Sequence, residues 1–540
     1  MKKLPIGIQS IEKILKSNAY AYVDKTGFIK QLIDEGFPHY FISRPRRFGK
    51  SLFVNTLKQV FSGNKKLFKG LDIHESDYNW KKYPVVALDF SKIANSTPDE
   101  LKAALKIRLE IIANEHNISI IAADIQVALD TLVVQLSKKY KSKVVVLIDE
   151  YDKPIIDHLD DPIVAEQNKD VLKGFFGTLK GLDGELKLTF ITGISKFSQV
   201  SLFSGLNNLK NITMDPKYAG IMGYTEKELR ENFQDHIKQI AKERGKQVTE
   251  KSIIDEIRMW YNGYRFSENP LTVYNPYSTL HYFSDKKAES YWYSTGTPSF
   301  LIDEVKNRPQ SLTSLSGISA LKSTLSDISS VDRIHLGALM FQTGYLTIRG
   351  YNPDENSFLL DFPNKEVKEA FFNSLLQDFA EVDPLEVTRS AKGIKEDLQS
   401  LRFDAFMEKM NVHFAKMPYH VFQRAKEGFY QAVFFTFLEI SGIKTLAEVA
   451  TNIGRIDLMT ETSERICIFE LKLDQSASIG LSQAERNRYR ERFTHSGKET
   501  LVIGVNFSST SRSISDWKGA LYDPSGNPVR EILPSVAVAP

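Results

Sequence analysis

A run of alternating apolar and polar residues, with the period of a β-strand, extends from residue 453 to residue 473. Its two apolar halves flank the polar stretch 461–464, so the pattern predicts a β-hairpin. Side chains two residues apart on a strand point to the same face. The side chains of Glu470 and Lys472 are therefore predicted to lie on the same face of the second strand, and Asp457 lies on the first strand. Phe469, Leu471 and Leu473 are predicted to face the core on the opposite side.

Shorter apolar runs in the N-terminal part predict a parallel sheet. The runs at 39–43, 85–90, 144–148 and 188–192 are predominantly apolar, as are strands that helices cover on both faces. A helical pattern over residues 51–61 follows the first run. The predicted fold class of this part is therefore α/β, built on a parallel sheet.

The central part of the chain, residues 220–400, is predicted to be mostly helical. Within it, alternation over 345–348 followed by Gly350 and the turn pair at 352–353 predicts a strand and turn, which suits the wing of a winged helix. Such a wing could contact DNA or serve only as a packing module, and both interpretations stay open. An apolar run at 501–505 predicts a further buried strand after the hairpin.

Gly49, Lys50 and Ser51 lie where the first apolar strand gives way to a helix. This arrangement suits a nucleotide, because the turn aims backbone N–H groups at phosphate, the lysine reaches the β and γ phosphates, and the hydroxyl binds magnesium. The usual phosphate-loop pattern has another glycine earlier in the loop, at the position where this chain has Arg44. The pattern therefore predicts nucleotide binding with one departure from the common motif.

Two acids that follow the strand at 144–148 complete the predicted nucleotide site. Asp149 is predicted as the magnesium partner and Glu150 as the residue that polarises the attacking water. In doubly wound sheets, ligands bind beyond the carboxyl ends of the strands, where Thr192 is also expected to lie. Thr192 is therefore a candidate sensor of the γ-phosphate, although an ordinary threonine at a strand end explains it equally well.

Arg46, Arg47 and Phe48 lie inside the predicted phosphate loop. The two arginines could contact the phosphates of the bound nucleotide or of a nucleotide on a neighbouring subunit. A solvated loop tip is the commoner fate of such a pair. All three residues are included in the predicted nucleotide-binding loop.

The hairpin residues Asp457, Glu470 and Lys472 bring two carboxylates and an ammonium to one patch, which is costly unless another charge compensates them. A hard divalent cation bound by Asp457 and Glu470 would do so, with Mg²⁺ expected and Mn²⁺ as an alternative. The cation polarises a phosphoryl oxygen and lowers the pKa of its water, while the lysine positions the nucleophile or stabilises developing charge. A hairpin with solvated charges is the alternative interpretation.

These motifs resemble those of two known families. The hairpin resembles the catalytic hairpin of the PD-(D/E)XK nuclease superfamily, and the N-terminal motifs resemble the AAA-like ATPase domain that precedes such a nuclease in many bacterial proteins. The N-terminal likeness rests on the segments 22–26, 43–51, 149–152, 192–195 and 203–208. The resemblance implies a P-loop NTPase domain over 1–220, a helical and winged-helix-like coupling region over 221–400, and a PD-(D/E)XK nuclease-like α/β domain over 401–540.

The nuclease resemblance assigns further residues. Glu427, at the start of an apolar helix, matches a glutamate that this superfamily often has before the hairpin, although a helix N-terminus favours an acid in any case. Gln483 and Tyr489 resemble the family's Gln and Tyr pair on the helix that follows, and the resemblance implies that they contact nucleic acid. Arg486 and Arg490 are four residues apart there, a spacing that predicts a basic helix face for a phosphate backbone, or a solvated face with acidic partners.

Composition narrows the remaining possibilities. A chain of 540 residues suffices for roughly two to four domains, and 70 Lys and Arg against 67 Asp and Glu leave the charge nearly balanced, so a nucleic-acid surface must be local. The single cysteine, Cys467, is expected in the core. Scattered histidines without a metal-binding spacing argue against a zinc hydrolase. No apolar run is long enough for a membrane span, which predicts a cytoplasmic protein.

The predicted function is ATP binding and hydrolysis coupled to a Mg²⁺-dependent nuclease that acts on nucleic acid, with DNA favoured over RNA. The alternative is a nucleotide-dependent switch or scaffold whose C-terminal domain binds nucleic acid or protein without cleaving it. An ATPase motor with a vestigial nuclease is a third possibility. The presence of all three hairpin residues favours the enzyme. The oligomeric state, including an assembly of identical copies, is left open.

Overall fold

The computed structural model describes residues 1–17, 19–195, 203, 206, 208–292, 318–326, 336–378, 381, 393–422, 426–451, 453–494 and 496–535. Part of the segment at 203–208, one of those that carry the ATPase resemblance, therefore lies outside the described residues. The chain divides into two compact units, Met1–Thr295 with Ser319–Val367 and Gly296–Ile318 with Lys368–Pro540. The division into three parts at 220 and 400 stays a prediction.

Five parallel strands form a sheet in the first unit, in the order β2-β3-β4-β1-β5. The predicted parallel α/β fold is thereby confirmed. The strands are His39–Ser43 (β1), Val85–Asp89 (β2), Val144–Asp149 (β3), Leu186–Gly193 (β4) and Leu209–Asn211 (β5).

Helices connect these strands and make up much of the rest of the chain. Many begin at a polar cap: the side chains of Thr97, Asp124 and Thr225 each accept a backbone N–H in the first helical turn. No helix in the described ranges combines the length and the apolar character that crossing a bilayer requires. The helices are Ile11–Lys16, Thr26–Glu35, Lys50–Phe61, Asp72–Glu75, Pro98–Glu115, Ile125–Tyr140, Lys153–Ile156, Pro162–Gly181, Glu226–Arg244, Glu250–Tyr261, Pro276–Asp285, Lys322–Ser326, Leu336–Thr343, Lys365–Asp378, Ile394–Gln399, Phe403–Ala415, Glu427–Ile440 and Ala477–Arg486.

Strand β4 lies between β1 and β3, and this order brings the predicted nucleotide-binding residues to one edge of the sheet. Ser43 at the end of β1 pairs with Gly193, one residue after Thr192 on β4. Every residue of β3 is buried, which explains its unbroken apolar run before Asp149. The carboxyl ends of the three strands therefore meet where the phosphate loop begins, as the sequence predicts.

The remaining strands of the first part of the chain form a small sheet of order β6-β8-β7. They are Ile318–Leu321 (β6), Thr347–Asn352 (β7) and Ser357–Asp361 (β8). β7 and β8 pair as an antiparallel hairpin. The predicted strand and turn are thus present, with the strand beginning two residues later because the N–H groups of Tyr345 and Leu346 donate to the Met340 carbonyl oxygen of the preceding helix. Contact of this hairpin with DNA stays a prediction.

The second unit contains a mixed sheet of six strands in the order β14-β13-β12-β11-β10-β9. β11 and β12 are parallel, and the other neighbours are antiparallel. The predicted hairpin is confirmed as β10 and β11, and the predicted strand at 501–505 lies within β12. The strands are Thr445–Ala450 (β9), Arg455–Glu461 (β10), Arg465–Leu473 (β11), Glu499–Ser508 (β12), Ser513–Tyr522 (β13) and Pro528–Ile532 (β14).

Close packing on β11 and β12 shapes the second unit. Phe434, on the helix Glu427–Ile440, packs edge to face on Phe469 with ring centroids 5.6 Å apart. A Cβ at Gly504 would come within 2.0 Å of the carbonyl oxygen of Ala477, so only glycine at this position of β12 lets the helix Ala477–Arg486 lie directly on the sheet. Cys467 is 1% exposed on β11, which confirms its predicted core position.

The predicted basic helix face after the hairpin is wrong. The helix ends at Arg486, Arg488 adopts a left-handed conformation with φ 51°, and a 3₁₀ turn follows from Tyr489. Tyr489 is 1% exposed and donates its hydroxyl to the carbonyl oxygen of Arg455 at 2.8 Å, an anchor that turns the chain back toward the sheet. Arg486 and Arg490 therefore do not share a helix. The four-residue spacing of the arginines could not predict this, because the contact of Tyr489 with Arg455 joins residues that are distant in the chain.

Candidate active sites

The phosphate loop (residues 44–51) passes from β1 into the helix Lys50–Phe61. Gly49 caps the helix in a left-handed conformation with φ 92°, which glycine adopts without steric cost. Lys50 is 5% exposed, and its ammonium donates to the carbonyl oxygens of Arg44 and Pro45, each at 2.9 Å. Burial lowers the pKa of Lys50, although Asp149 opposes this effect. The ammonium is therefore held within the loop, where a phosphate would be a stronger acceptor than the two carbonyls.

Asp149 faces this loop from the end of β3. Burial raises the pKa of its carboxyl group to about 6, and the Ser51 hydroxyl and the Lys50 ammonium oppose the rise. Within the described part of the chain, Asp149 Oδ1 has no hydrogen-bond partner. A buried carboxylate oxygen without a partner, next to a serine hydroxyl, fits the donor set that Mg²⁺ takes beside a nucleotide.

Glu150 and Thr192 lie at the same edge of the sheet. Glu150 lines the cavity next to the loop and has a left-handed backbone with φ 53°, which is uncommon for a residue with a side chain. Thr192 is fully buried, and its hydroxyl has no hydrogen-bond partner among the described residues. Glu150 thus borders the cavity beside the loop, whereas Thr192 lies buried at the end of β4 and is not among the residues that line this cavity. The roles of both residues remain predictions.

Asp152 is a buried acid whose place in this site the sequence did not reveal. Its Oδ2 accepts the backbone N–H of Ile194 at 2.9 Å and both the N–H and the hydroxyl of Ser195 at 2.7 Å. Asp152 therefore holds the turn after β4, and with it the position of Thr192. The signal available in the sequence was the third acid of the run at 149–152.

A cavity of about 360 Å³ opens beside the phosphate loop. Lys50, Ser51 and Glu150 line one side, and residues that the sequence did not suggest, Tyr224 and Tyr277, line another. Gly7, Gln9 and Leu280 belong to the same lining. Apolar and aromatic walls with charged groups at one end suit a nucleotide.

The side chains at the tip of the loop differ in their surroundings. Arg46 and Arg47 are exposed, and the guanidinium of Arg47 lies 5.0 Å from the ring centre of Tyr277. The Arg46 carbonyl accepts the indole N–H of Trp292 at 3.0 Å. Phe48 is 1% exposed and packs edge to face on Tyr264, so its ring is part of the core and only its backbone is available to a ligand.

Arg44 occupies the position of the glycine in the common motif, and its side chain has a structural role. The guanidinium is 1% exposed and donates to the carbonyl oxygens of Ser43 at 2.9 Å, Thr213 at 2.8 Å and Tyr218 at 3.3 Å. It also lies 4.1 Å from the ring centre of Phe266. Arg44 therefore ties the start of the loop to the chain that follows β5.

We expect Arg44→Gly, which restores the common glycine, to destabilise the protein by about 3 kcal/mol, because three buried carbonyls lose a charged donor. The corresponding loss in Tm is about 4 °C for a unit of this size, to be measured by calorimetry or circular dichroism. Arg46→Gly is the matched control, since Arg46 is exposed. Equal melting temperatures for the two variants would contradict the structural role of Arg44.

Asp457, Glu470 and Lys472, called here the hairpin site, lie together in the second unit. Glu470 is fully buried, and its Oε2 lies 3.8 Å from the Lys472 ammonium. Lys472 is 7% exposed and donates to the carbonyl oxygen of Leu471 at 2.8 Å. Asp457 Oδ2 accepts the Leu471 N–H at 2.8 Å. The structure therefore brings together the three residues that the sequence singled out.

The hairpin ladder opens at Asp457, and side chains take over its backbone partners. The last recorded pair on this side is Leu458 with Phe469. Glu470 Oε1 accepts the Asp457 N–H at 3.4 Å, a long contact, and Glu470 Oε2 accepts the amide of Gln483 at 2.9 Å. Gln483 thus contacts the hairpin site itself, whereas the resemblance placed it with the nucleic-acid contacts.

Burial raises the pKa of both acids of the hairpin site. For Glu470 the Asp457 carboxylate raises the pKa further, and for both acids the Lys472 ammonium acts in the opposite direction. Glu427, the first residue of its helix, also raises the pKa of both acids by charge repulsion. Glu427 therefore lies within electrostatic reach of the hairpin site.

Two further residues adjoin the hairpin site, and the sequence gave no sign of them. Gln431 follows Glu427 by one helical turn, and its amide donates to Glu448 Oε1 at 2.8 Å and to the Asp457 carbonyl oxygen at 3.3 Å. Glu448 on β9 contributes to the raised pKa of Asp457. In the sequence, Gln431 and Glu448 are polar residues among apolar neighbours, as in any amphipathic helix or strand. Only the fold shows that they lie next to Asp457.

The predicted nucleic-acid residues do not form one surface. The ring of Tyr489 is buried, and Arg490 packs its guanidinium 4.4 Å from the ring centre of Tyr522 and donates to the Gly526 carbonyl oxygen at 3.2 Å. Arg486 is exposed at the end of its helix. Of these three side chains, that of Arg486 is therefore the most available to a phosphate backbone.

The hairpin site fits a divalent cation held by few protein ligands. No group of three or more His, Cys, Asp or Glu side chains within the described ranges is arranged to hold a metal ion. Two carboxylates alone suit Mg²⁺, which keeps several waters and takes the rest of its ligands from a phosphate. Burial raises the pKa of both Asp457 and Glu470, and the Asp457 carboxylate raises the pKa of Glu470 further, so a bound cation would offset the cost of keeping both acids ionised.

We expect Mn²⁺ affinity in the absence of nucleotide to rise as the pH increases from about 5 to about 8. Burial favours the protonated carboxyls of Asp149, Asp457 and Glu470, whereas the cation binds the deprotonated forms, so protons compete below the raised pKa values and no longer above them. Calorimetry in buffers of different ionisation enthalpy measures both the affinity and the protons released. An affinity that does not change with pH would contradict this expectation.

Comparisons with known proteins agree with this geometry. Residues 5–203 match the AAA-ATPase-like family, described as "Predicted AAA-ATPase", and residues 425–517 match the PD-(D/E)XK nuclease superfamily. The chain is 35% identical over 525 residues to an Azotobacter chroococcum mcd 1 protein described as "Uncharacterized protein in vnfD 5'region", a match covering 95% of this chain and 98% of that protein. The chain therefore belongs to the family of proteins in which an AAA-ATPase-like domain precedes a PD-(D/E)XK nuclease superfamily domain.

Proposed function

We propose that this protein binds and hydrolyses ATP with its first unit and cleaves phosphodiester bonds of nucleic acid, DNA in preference to RNA, with its second. The observation that carries the proposal is the hairpin site, where Lys472 lies 3.8 Å from Glu470 and the Leu471 N–H fixes the carboxylate of Asp457. A domain that only binds nucleic acid has no need for buried acids beside a lysine. The reaction proposed is metal-assisted hydrolysis.

At the nucleotide site, the proposed role of each residue is inferred from its place at the phosphate loop or at the carboxyl end of a neighbouring strand. Backbone N–H groups of the phosphate loop and the Lys50 ammonium bind the phosphates. Ser51 and Asp149 hold Mg²⁺, Glu150 polarises the attacking water, and Thr192 contacts the γ-phosphate. Arg46 and Arg47 project from the same loop and are free to reach the phosphates or a neighbouring copy.

At the hairpin site, Asp457 and Glu470 hold Mg²⁺ or Mn²⁺, which when bound supplies a water of lowered pKa and polarises the phosphoryl oxygen. Lys472 orients the nucleophile and stabilises charge on the phosphate. Gln483 holds the Glu470 carboxylate in place, and Glu427 adds negative charge that strengthens cation binding. Arg486 binds the nucleic-acid backbone.

We further propose that the nucleotide state of the first unit controls cleavage by the second, and that the protein acts in the cytoplasm. The support for control is the presence of both domains on one chain, over residues 5–203 and 425–517. Control of this kind requires that ATP change the affinity or the rate at the hairpin site.

The test is cleavage of linear DNA, circular DNA and RNA with Mg²⁺ or Mn²⁺, with and without ATP. Cleavage that requires the divalent cation supports the nuclease, and preference among the three substrates identifies the nucleic acid. Stimulation or inhibition by ATP supports control. Hydrolysis of ATP without any cleavage would replace the nuclease by the switch or motor.

A further inference from the structure

Glu448 lies directly opposite Asp457 on the neighbouring strand. The recorded pairs of β9 and β10 are Ile456 with Val449 and Leu458 with Ala447, so the register places Glu448 against Asp457, yet no backbone pair is recorded there. Glu448 has a left-handed backbone with φ 54°. Non-glycine residues adopt this conformation uncommonly, and interruptions of a ladder beside a functional site redirect side chains.

The carboxylate of Glu448 replaces the missing backbone pair by side-chain contacts. Its Oε1 accepts the amide of Gln431 at 2.8 Å, and the same amide donates to the Asp457 carbonyl oxygen at 3.3 Å. Its Oε2 forms an ion pair with Arg455, two residues before Asp457 on the same strand. Glu448 thus contacts Arg455 of β10 directly and reaches the backbone of Asp457 through the Gln431 amide.

We propose that Glu448 is a positioning residue of the hairpin site: through Gln431 and Arg455 it fixes the backbone of β10, and so the aim of the Asp457 carboxylate. This inference rests on the proposed metal-dependent nuclease. Gln431 is 6% exposed, so its amide is held by packing as well as by Glu448. Asp457 in turn binds the Leu471 N–H, which completes a connection from β9 through β10 to β11.

Substitution of Glu448 by glycine separates this role from a merely structural one. Glycine adopts φ 54° without steric cost, so Glu448→Gly relieves the backbone while removing the carboxylate. If Glu448 served only the fold, this change would lower Tm and leave the affinity of the folded protein for Mn²⁺ unchanged. A positioning residue would lose the aim of Asp457 although the protein melts at the same or a higher temperature.

The experiment is titration of the full chain with Mn²⁺, followed by the electron paramagnetic resonance of free Mn²⁺, with thermal unfolding of each variant. All proteins carry Asp149→Asn so that the nucleotide site does not contribute. We expect Glu448→Gly to weaken Mn²⁺ binding at least tenfold without lowering Tm. Glu448→Gln keeps an oxygen that can accept the Gln431 amide, so its Mn²⁺ affinity should remain within about threefold of that of the protein carrying Asp149→Asn alone.

Gln431→Met supplies a second route, because it removes the amide and preserves volume; it should weaken Mn²⁺ binding as Glu448→Gly does. If Glu448→Gly does not fold, the comparison of Gln431→Met with Glu448→Gln decides. Mn²⁺ binding that survives both Glu448→Gly and Gln431→Met but is lost in Asp457→Asn overturns this inference alone. Binding that Asp457→Asn leaves unchanged, or no binding by the starting protein, overturns the proposed metal site itself.

Discussion

Lys472→Ala is expected to reduce the rate of nucleic-acid cleavage by about 10³-fold. Lys472 contributes the one ammonium of the hairpin site, and a charged group that stabilises a transition state is worth about 10²–10³ in rate. The same substitution leaves Asp457 and Glu470 in place and removes a positive charge next to them. Mn²⁺ binding should therefore be preserved or strengthened, so that metal binding and cleavage respond in opposite directions.

The measurement is single-turnover cleavage of the best substrate, together with Mn²⁺ titration of the same preparations. Lys498→Ala is the matched control, because Lys498 immediately precedes β12 and pairs with Glu461 at the turn end of the hairpin. Its cleavage rate should stay within about twofold of the wild type, as expected for a surface pair of small energetic value. Cleavage by Lys472→Ala at the wild-type rate would exclude the assigned role of the lysine.

The parts of the fold that the sequence predicted are those whose signals are local. The buried strand β3 is an unbroken apolar run, and the hairpin of β10 and β11 alternates with period two around a polar turn. The loop at Gly49 was predictable because glycine adopts the left-handed backbone conformation of this position without steric cost. Such signals also located the hairpin site, since Glu470 and Lys472 are two residues apart on one strand.

The parts that escaped prediction depend on partners distant in the chain. Arg488 leaves the helical conformation because Tyr489 reaches back to Arg455, a contact across 34 residues. Glu448 comes to Asp457 through sheet register, which no local pattern encodes. Arg44 departs from the common phosphate-loop motif, and its structural role depends on the carbonyl oxygens of Thr213 and Tyr218, which are distant in the chain.

Lys50→Ala is expected to reduce ATP hydrolysis by about 10²-fold or more and to weaken nucleotide binding. The Lys50 ammonium is buried within the phosphate loop, and in the proposed function it is the positive charge that reaches the β and γ phosphates. Burial already lowers its pKa, so its removal from the nucleotide-free protein should change Tm little. Phosphate release and binding of a fluorescent ATP analogue measure the two effects, with the exposed Lys58→Ala on the same helix as control.

The consequence of Lys50→Ala for cleavage separates coupling from mere coexistence of two domains. If nucleotide controls the hairpin site, the variant should cut nucleic acid at the rate of the wild type without ATP, whatever ATP is added, because the nucleotide-bound state is no longer populated. If its cleavage still follows the ATP concentration as in the wild type, the phosphate loop is not the source of control. If cleavage is insensitive to ATP in both proteins, the two activities are independent, and the nucleotide does not control the hairpin site.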